Sequence, residues 1–209
     1  MGKNILIFDF DGTIADSFHH ILRISDVLAE EFRFLKVKPE EVEQMKDMNL
    51  WQVIEHLRVP IFKVPIILSR AKILVAHGIL SIDTVDGLKE VLVKIKDAGI
   101  PMGILTSNSP KNVHRFLENH KLNLFDFVNE AFQLWGKNHC IKRLMEEKKF
   151  NPADVIYIGD EIRDIEAAQK IRIRSAAVTW GYNSGRALAA LKPNYLINTP
   201  EDLLQLTRD

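Results

Sequence analysis

The chain has 209 residues, of which 46% are hydrophobic and 27% are charged, a composition typical of one soluble globular domain with or without a small insert. Its 28 lysines and arginines balance 28 aspartates and glutamates, which argues against a dedicated nucleic-acid-binding protein, since such proteins usually carry a basic excess. The single cysteine, Cys140, excludes an intrachain disulfide and a multi-cysteine zinc site.

The apolar runs predict neither a signal peptide nor a membrane helix. Asp9 and Asp11 interrupt the first run too early for a signal peptide. The run at 61–80 falls short of the ~18 uninterrupted apolar residues that a membrane helix needs. We therefore expect a soluble cytoplasmic protein, a monomer or small homo-oligomer, with neither a membrane nor a nucleic acid as partner. The residues that break the second run are Lys63, Pro65, Arg70 and Lys72.

Four short and nearly continuous apolar runs predict buried strands, at 4–8, 101–106, 154–159 and 174–180. None alternates between apolar and polar residues, which is typical of a parallel sheet covered on both faces. Helical patterns separate the later runs, and one of them begins with Ser109 as a predicted N-cap. The sequence therefore predicts an α/β fold with a Rossmann-like, doubly wound parallel sheet. A short strand and a helix are expected to close the chain after residue 187.

One long stretch breaks the alternation of strands and helices. Residues 17–82 contain several helical patterns and no convincing strand. This predicts an all-helical insert placed directly after the first strand. The remaining residues, 1–16 and 83–209, are then the sheet domain.

Polar side chains follow three of the predicted strands. Because ligands of an open parallel sheet bind beyond the carboxyl ends of its strands, these side chains are expected to meet at one edge. The acidic members would repel one another, so a hard divalent cation with oxygen ligands is expected, and Mg2+ fits well. The residues are Asp9 and Asp11, then Thr106, Ser107 and Asn108, then Asp160, Glu161 and Asp164.

Four segments in chain order resemble the motifs of the haloacid dehalogenase-like hydrolases. They are "DFDGTIADS", "ILTSN", the lysine of "GKNHC" and "IGDEIRDIEAA". The resemblance runs from residue 4 to the final helix and includes a helical cap after the first motif. Near the C-terminus, "VTWGYNS" and "PEDLL" also resemble the phosphoglycolate-phosphatase-like branch.

The resemblance implies a role for each motif residue. Asp9 is the implied nucleophile that forms an aspartyl-phosphate, and Asp11 the implied general acid and then base. Lys137 is implied to spread positive charge over Asp9 and the phosphate. The implied phosphate-binding residues are Gly12, Thr106, Ser107, Asn108 and Lys137. The implied Mg2+ ligands are Asp9, the Asp11 carbonyl, Asp160 and Asp164.

The function expected from these roles is Mg2+-dependent hydrolysis of a small phosphorylated metabolite. Asp11 favours phosphorus chemistry, because the dehalogenating members of the superfamily lack this aspartate. A sugar phosphomutase, which shares the aspartyl-phosphate step, stays open as an alternative. A binding module without catalysis is a further alternative, although it would not need the acid and base residues to be present.

Several residues also have simpler interpretations. A calcium loop is disfavoured because His20 stands where its twelfth-position glutamate would be. Thr106 to Asn108 alone would be an ordinary helix cap, and Glu161 is better explained as a helix-start carboxylate. Other lysines compete with Lys137, and some residues of the insert are weaker substrate-contact candidates. These are Lys111 and Lys142, and then His19, His20, Arg23 and Trp51.

Overall fold

The computed structural model describes residues 4–131 and 136–207 of the chain. Its centre is a six-stranded sheet in the order β3-β2-β1-β4-β5-β6, in which every neighbouring pair is parallel. This confirms the predicted α/β fold with a doubly wound sheet. The strands are β1 (Ile5–Phe8), β2 (Met102–Thr106), β3 (Phe127–Glu130), β4 (Val155–Gly159), β5 (Arg174–Val178) and β6 (Tyr195–Ile197).

Nine α-helices are present in the part of the chain that the structure describes. Four of them lie between β1 and β2, ahead of a fifth that leads into β2. The first four are α1 (Phe18–Phe32), α2 (Val42–Met45), α3 (Leu50–His56) and α4 (Val64–Gly78). The others are α5 (Leu88–Asp97), α6 (Pro110–Asn119), α7 (Lys137–Lys148), α8 (Ile162–Lys170) and α9 (Gly185–Ala190).

Both faces of the sheet are covered, which explains why its strands are apolar without alternation. Phe8 points into a large cluster that includes Leu92 of α5 and Phe116 of α6. Ile7 points to the opposite face, where it joins a cluster that includes Ile141 of α7. The central strands are therefore buried from both sides, and their carboxyl ends form one edge of the fold.

The stretch between β1 and α5 is helical, as predicted. Within the described residues 18–81 there is no strand, and three 3-10 turns accompany the four helices: Pro39–Glu41, Ile61–Lys63 and Ile79–Ser81. We call residues 18–81 the helical insert. Its own small core forms where α1 packs against α4, through Ile24, Leu28, Ile67 and Val75.

Two chain crossings connect the insert to the sheet. Asp16 donates its backbone N–H to the carbonyl of Asp83 at 2.9 Å, and Ala15 forms an antiparallel bridge with Thr84. These contacts lie at the predicted boundary of 16 and 83. The outermost bounds of the predicted sheet domain, residues 1 and 209, lie outside the described residues.

The last helical stretch of the insert is long and apolar. Among the described residues, Ile61–Ser81 is long and apolar enough to cross a membrane by length and composition alone, with a mean hydropathy of 1.5. Only 17% of that window is buried. Its buried side chains are Ile67 and Val75, which pack against α1, and Ile79, which belongs to the core of the sheet.

Three further details differ from the predicted elements. The strand β3 was not predicted, because its sequence FVNE is half-buried, ends in polar residues and has no apolar run. The strand predicted at 174–180 ends at Val178. The closing helix is a 3-10 helix, Pro200–Thr207, which follows the predicted closing strand β6.

Candidate active site

The predicted site residues meet at the carboxyl edge of the sheet. The strand order reverses at β1, which has β2 on one side and β4 on the other. Asp9 directly follows β1, Thr106 ends β2 and Asp160 directly follows β4. A crevice at such a reversal is where open α/β sheets bind their ligands.

Lys137 joins two buried carboxylates at this edge. It is the first residue of α7, and its Nζ lies 2.5 Å from Oδ2 of Asp9. The same Nζ forms an ion pair with Oδ1 of Asp164 on α8. It also lies 5.3 Å from the centre of the Tyr157 ring, within the range of a cation–π contact. The choice of Lys137 over the other candidate lysines therefore agrees with the geometry.

The ammonium of Lys137 stays charged in spite of its surroundings. Burial by itself lowers the pKa of Lys137, but the carboxylates of Asp164 and Asp9 outweigh it and hold that pKa well above its usual range. Asp9 is 4% exposed, and its second oxygen, Oδ1, accepts the backbone N–H of Phe10 at 2.8 Å. The nucleophile candidate is thus held at both oxygens.

Asp160 is held by a hydroxyl and a backbone amide. Oδ1 accepts the hydroxyl of Thr13 at 2.6 Å, and Oδ2 accepts the N–H of Tyr182 at 2.8 Å. Burial raises the pKa of Asp160 well above its usual value, and the nearby charges of Glu161 and Asp164 raise it further. A nearby cation would favour the ionised form of this carboxyl group.

Three carboxylates form a compact acidic group. Oxygens of Asp9, Asp160 and Asp164 all lie within 4.8 Å of one another, and all three residues are buried. Burial raises the pKa of Asp164 to about 6, although Lys137 opposes the change. These three buried carboxylates lie beside one lysine, Lys137. The group therefore has an excess of negative charge that a hard cation would offset. The donor set, oxygen only, fits Mg2+.

Asp11 lies beside this group but has a different environment. Its Oδ2 accepts the side-chain amide of Asn108 at 3.2 Å, while Oδ1 is buried and has no partner among the described residues. Burial, and after it the charge of Asp9, raises the pKa of Asp11 to about 7. A carboxyl group with such a pKa can carry a proton at neutral pH, as a general acid must.

Gly12 makes the tight turn directly after the two aspartates of the first motif. Its φ is +77°, and its N–H donates to the carbonyl of Ala15 at 2.9 Å. A Cβ at this position would lie 2.2 Å from Oδ2 of Asp160 and 2.5 Å from the ring of Tyr182. Only glycine can let the first motif pass this close to the residues that follow β4 and β5.

The polar residues after β2 form the N-terminal cap of helix α6, and one of them, Asn108, also contacts Asp11. Ser109 is the N-cap of α6, as predicted, and accepts the N–H of Asn112 at 3.2 Å. The hydroxyl oxygen of Thr106 accepts the N–H of Asn108 at 3.0 Å, so its proton points elsewhere. The two interpretations of this segment, helix cap and site, are therefore compatible. Ser107 is half-buried beside them.

The weaker candidates lie elsewhere. Lys111 is exposed, and Lys142 is 64% exposed and 3.9 Å from Glu146. Trp51 is 65% exposed on α3. The ring of His20 packs where a Cβ on Gly78 would be, at 2.1 Å, while His19 and Arg23 are exposed on α1.

Sequence reasoning gave no role to three residues that support the site. Ser17 accepts the N–H of Gly12 at 3.1 Å and lies 2.9 Å from the hydroxyl of Tyr182. Asn183 accepts the N–H of Ile162, the first residue of α8, at 2.8 Å. The available signals were their positions in quoted family segments, since Ser17 ends "DFDGTIADS" and Tyr182 and Asn183 lie in "VTWGYNS".

Comparison with known proteins agrees with the motifs. The family model described as haloacid dehalogenase-like hydrolase matches residues 6–178. The chain belongs to this family. It is 30% identical over 201 residues to the phosphoglycolate phosphatase of Synechococcus elongatus, covering 96% of this chain and 95% of that one. Phosphoglycolate phosphatase 1 of Pseudomonas aeruginosa is 25% identical, covering 96% and 78% respectively.

Solved structures show the same fold. A predicted phosphatase from Clostridium acetobutylicum has a TM-score of 0.83 at 24% identity, with 98% of each chain covered. A haloacid dehalogenase-like hydrolase from Streptococcus pneumoniae has a TM-score of 0.82 at 19% identity, with 97% of each chain covered. These structures show the fold, while the family model and the 30% identical relative confirm the predicted superfamily, its phosphoglycolate-phosphatase-like branch and the enzyme class, a phosphatase.

Proposed function

We propose that the protein is a Mg2+-dependent phosphatase that hydrolyses a small phosphomonoester through an aspartyl-phosphate on Asp9. The observation that carries this proposal is the contrast between the two aspartates of the first motif. Asp9 is paired with Lys137 at 2.5 Å, whereas burial raises the pKa of Asp11 to about 7, and one oxygen of Asp11 has no partner within residues 4–131 and 136–207. One carboxylate is therefore suited to attack and the other to proton transfer.

In the first step, an oxygen of Asp9 attacks phosphorus and the bond from phosphorus to the ester oxygen breaks. Asp11 donates its proton to the departing alkoxide, which leaves as an alcohol. In the second step, Asp11 takes a proton from water, and the resulting hydroxide attacks phosphorus and releases phosphate and free Asp9. Phosphoryl transfer depends mainly on positioning and on charge stabilisation, which suits a rigid edge of this kind.

The phosphoryl oxygens are assigned to the polar residues around Asp9. The hydroxyl of Thr106, the backbone of Ser107 and the ammonium of Lys137 are proposed to bind them. Gly12 and Asn108 complete the predicted phosphate-binding set. In addition, the amide of Asn108 orients Asp11, to which it donates at 3.2 Å.

Mg2+ is proposed to bind Asp9, the carbonyl of Asp11, Asp160 and Asp164. When bound, it supplies positive charge that offsets the carboxylates and the phosphate. The chemistry of the three clustered carboxylates supports this assignment, since their oxygens lie within 4.8 Å of one another. Thr13 and the N–H of Tyr182 keep Asp160 in place.

The helical insert is proposed to act as a cap. Residues 17–82 would close over the substrate and exclude water during the first step, while 1–16 and 83–209 form the catalytic core. The relatives named phosphoglycolate phosphatase make 2-phosphoglycolate the first substrate to test.

The decisive experiment compares the wild type with Asp9→Asn. Phosphate release from p-nitrophenyl phosphate and from 2-phosphoglycolate is measured with Mg2+ and with EDTA. We expect activity that needs Mg2+ in the wild type and none in Asp9→Asn. Asp16→Asn is the matched control, because Asp16 is an exposed aspartate in the same motif. Undiminished activity in Asp9→Asn would refute the mechanism.

The same proteins separate a phosphatase from a sugar phosphomutase. A phosphatase releases phosphate from one or more members of a panel of phosphorylated metabolites that includes hexose phosphates. A phosphomutase releases little phosphate and rapidly isomerises a hexose phosphate, which is followed by NMR. Isomerisation without phosphate release would overturn the phosphatase proposal and favour the mutase.

A further inference from the structure

The helical insert also contacts the sheet domain through a segment that is separate in sequence from its two chain crossings. A docking segment, Lys46–Met48, lies against a docking loop, Asn183–Arg186. Ser184 donates its backbone N–H to the carbonyl of Lys46 at 2.9 Å. The carboxylate of Asp47 accepts the hydroxyl of Ser184 and forms an ion pair with Arg186.

Asn183 makes the buried part of this contact. The residue is 6% exposed. The amide Nδ2 donates to the carbonyl of Lys46 at 2.8 Å and to the carbonyl of Met48 at 2.9 Å. Both amide protons are therefore used to hold the docking segment, and removal of the amide would leave two carbonyls without this donor.

The other half of the same side chain faces the catalytic edge. Oδ1 of Asn183 accepts the N–H of Ile162 at 2.8 Å, and the backbone N–H of Asn183 donates to the carbonyl of Asp160 at 3.2 Å. Ile162 is the first residue of α8, the helix that carries Asp164. One amide group thus contacts the insert with its nitrogen and the β4–α8 loop with its oxygen.

We propose that Asn183 is a positioning residue that couples docking of the helical insert to the geometry of the loop carrying Asp160 and Asp164. The coupling works in both directions, because one rigid group satisfies both sides and neither side can move far without losing its hydrogen bond. The docked insert then favours one arrangement of that loop, and that arrangement favours the docked insert. Only the kinetic test below rests on the proposed function.

Two substitutions distinguish the role of the amide nitrogen of Asn183, which contacts the insert, from that of its oxygen, which contacts Ile162. Asn183→Asp keeps an oxygen for Ile162 but replaces the donor to Lys46 and Met48 by a second acceptor. Asn183→Ala removes both halves. Asn194→Ala is the matched control, because Asn194 also accepts a backbone N–H, from Ser175 at 3.0 Å, but lies at the sixth strand, away from the insert.

Amide exchange measured by NMR tests the coupling without any substrate or metal. The N–H of Ser184 reports docking, because its acceptor belongs to the insert, and the N–H of Ile162 reports the loop. In Asn183→Asp we expect exchange at Ser184 to be about tenfold faster, since two hydrogen bonds to the insert are lost. Exchange at Ile162 is expected to rise as well, although its acceptor is kept, because the undocked loop is less restrained.

The controls decide between coupling and general loosening. In Asn194→Ala, exchange at Ser184 and Ile162 should equal that of the wild type. In Asn183→Ala, exchange at Ile162 should be faster than in Asn183→Asp, because the acceptor is lost as well, and exchange at Ser184 should be faster than in the wild type. Unchanged exchange at Ser184 in Asn183→Asp would overturn the proposed docking role. Faster exchange at Ser184 with unchanged exchange at Ile162 would overturn the coupling.

The kinetic arm asks whether the coupling serves the reaction. We expect kcat of Asn183→Asp on 2-phosphoglycolate to fall about tenfold with a smaller change in KM, because a misplaced loop affects the reaction more than the encounter. A thermal midpoint equal to that of Asn194→Ala would show that the fall does not come from unfolding. Wild-type kcat in Asn183→Asp would overturn the positioning role. An inactive wild type would refute the proposed function, and the exchange data would still decide the coupling.

Discussion

Lys137 and Asp9 lie 2.5 Å apart, although 128 residues separate them in the chain. The ammonium also pairs with Asp164, so a single cation joins the residue after β1 to the first turn of α8. Both partners are buried, and each would be costly to bury alone. The ion pair therefore sets the position of the nucleophile candidate as well as its charge.

Replacement of this lysine should affect catalysis and stability together. We expect Lys137→Met to lower kcat for phosphate release by about 10²–10³-fold, because a preorganised positive charge beside the phosphate is lost. The thermal midpoint should fall more at pH 8 than at pH 5, since Asp164, whose pKa is about 6, can take a proton at the lower pH. Lys142→Met, on the exposed side of the same helix, should match the wild type; an equal loss there would contradict the assignment.

The proton on Asp11 should make the reaction depend on pH. Its pKa of about 7 means that the group is protonated below pH 7 and loses its proton above it. We expect kcat/KM for an alkyl phosphate to decline as pH rises through 7, with a weaker decline for p-nitrophenyl phosphate, whose leaving group needs no proton. Equal declines for the two substrates would argue against Asp11 as the acid.

The same raised pKa has a consequence for stability. Because the folded state holds a proton on Asp11 that the unfolded state has released, the contribution of Asp11 to the unfolding free energy falls as pH rises from about 4 to 7.

Asn108→Ala should raise the pKa of Asp11 further, because the lost hydrogen bond favours the ionised form. The alkaline decline in kcat/KM should then move to higher pH; a move to lower pH would contradict this reasoning.

Gly12→Ala should be far more damaging than an alanine at another glycine of similar backbone. Gly12 and Gly87 have φ of +77° and +73°, but an added Cβ would lie 2.2 Å from Asp160 at the first and meet nothing within 4 Å at the second. Gly87→Ala should cost about 1 kcal/mol of unfolding free energy. Gly12→Ala should cost clearly more and abolish activity, as urea unfolding and phosphate release would measure. Equal costs would show that the close approach is unimportant.

Mg2+ should stabilise the folded protein through the clustered carboxylates. At 100 times its Kd, a ligand that binds only the folded state adds about 2.7 kcal/mol to the unfolding free energy. The thermal midpoint of the wild type should therefore rise with added Mg2+, and that of Asp160→Asn should rise much less. Asp97→Asn, an exposed aspartate at the end of α5, serves as the control. A full Mg2+ response in Asp160→Asn would contradict the metal assignment.

Much of this site follows from the order of residues along the chain. Asp9 and Asp160 each come directly after a continuous apolar run, and parallel strands place their carboxyl ends at one edge. The apolar pattern alone therefore predicted that these carboxylates meet. The strand β3 could not be predicted in this way, because it is an edge strand of four half-buried residues and its sequence has no continuous apolar run.

The amino-acid sequence by itself determined five of the six described strands, the insertion point of the helices and the identity of the acidic residues, because periodicity and strand ends are local properties. Only the tertiary structure decided the pKa of each buried carboxyl group and which distant residues form hydrogen bonds with one another. The pKa of Asp11 depends on burial, and Asn183 contacts Lys46, which lies 137 residues away. Burial and long-range contacts arise only when distant segments pack together, so no local pattern records them.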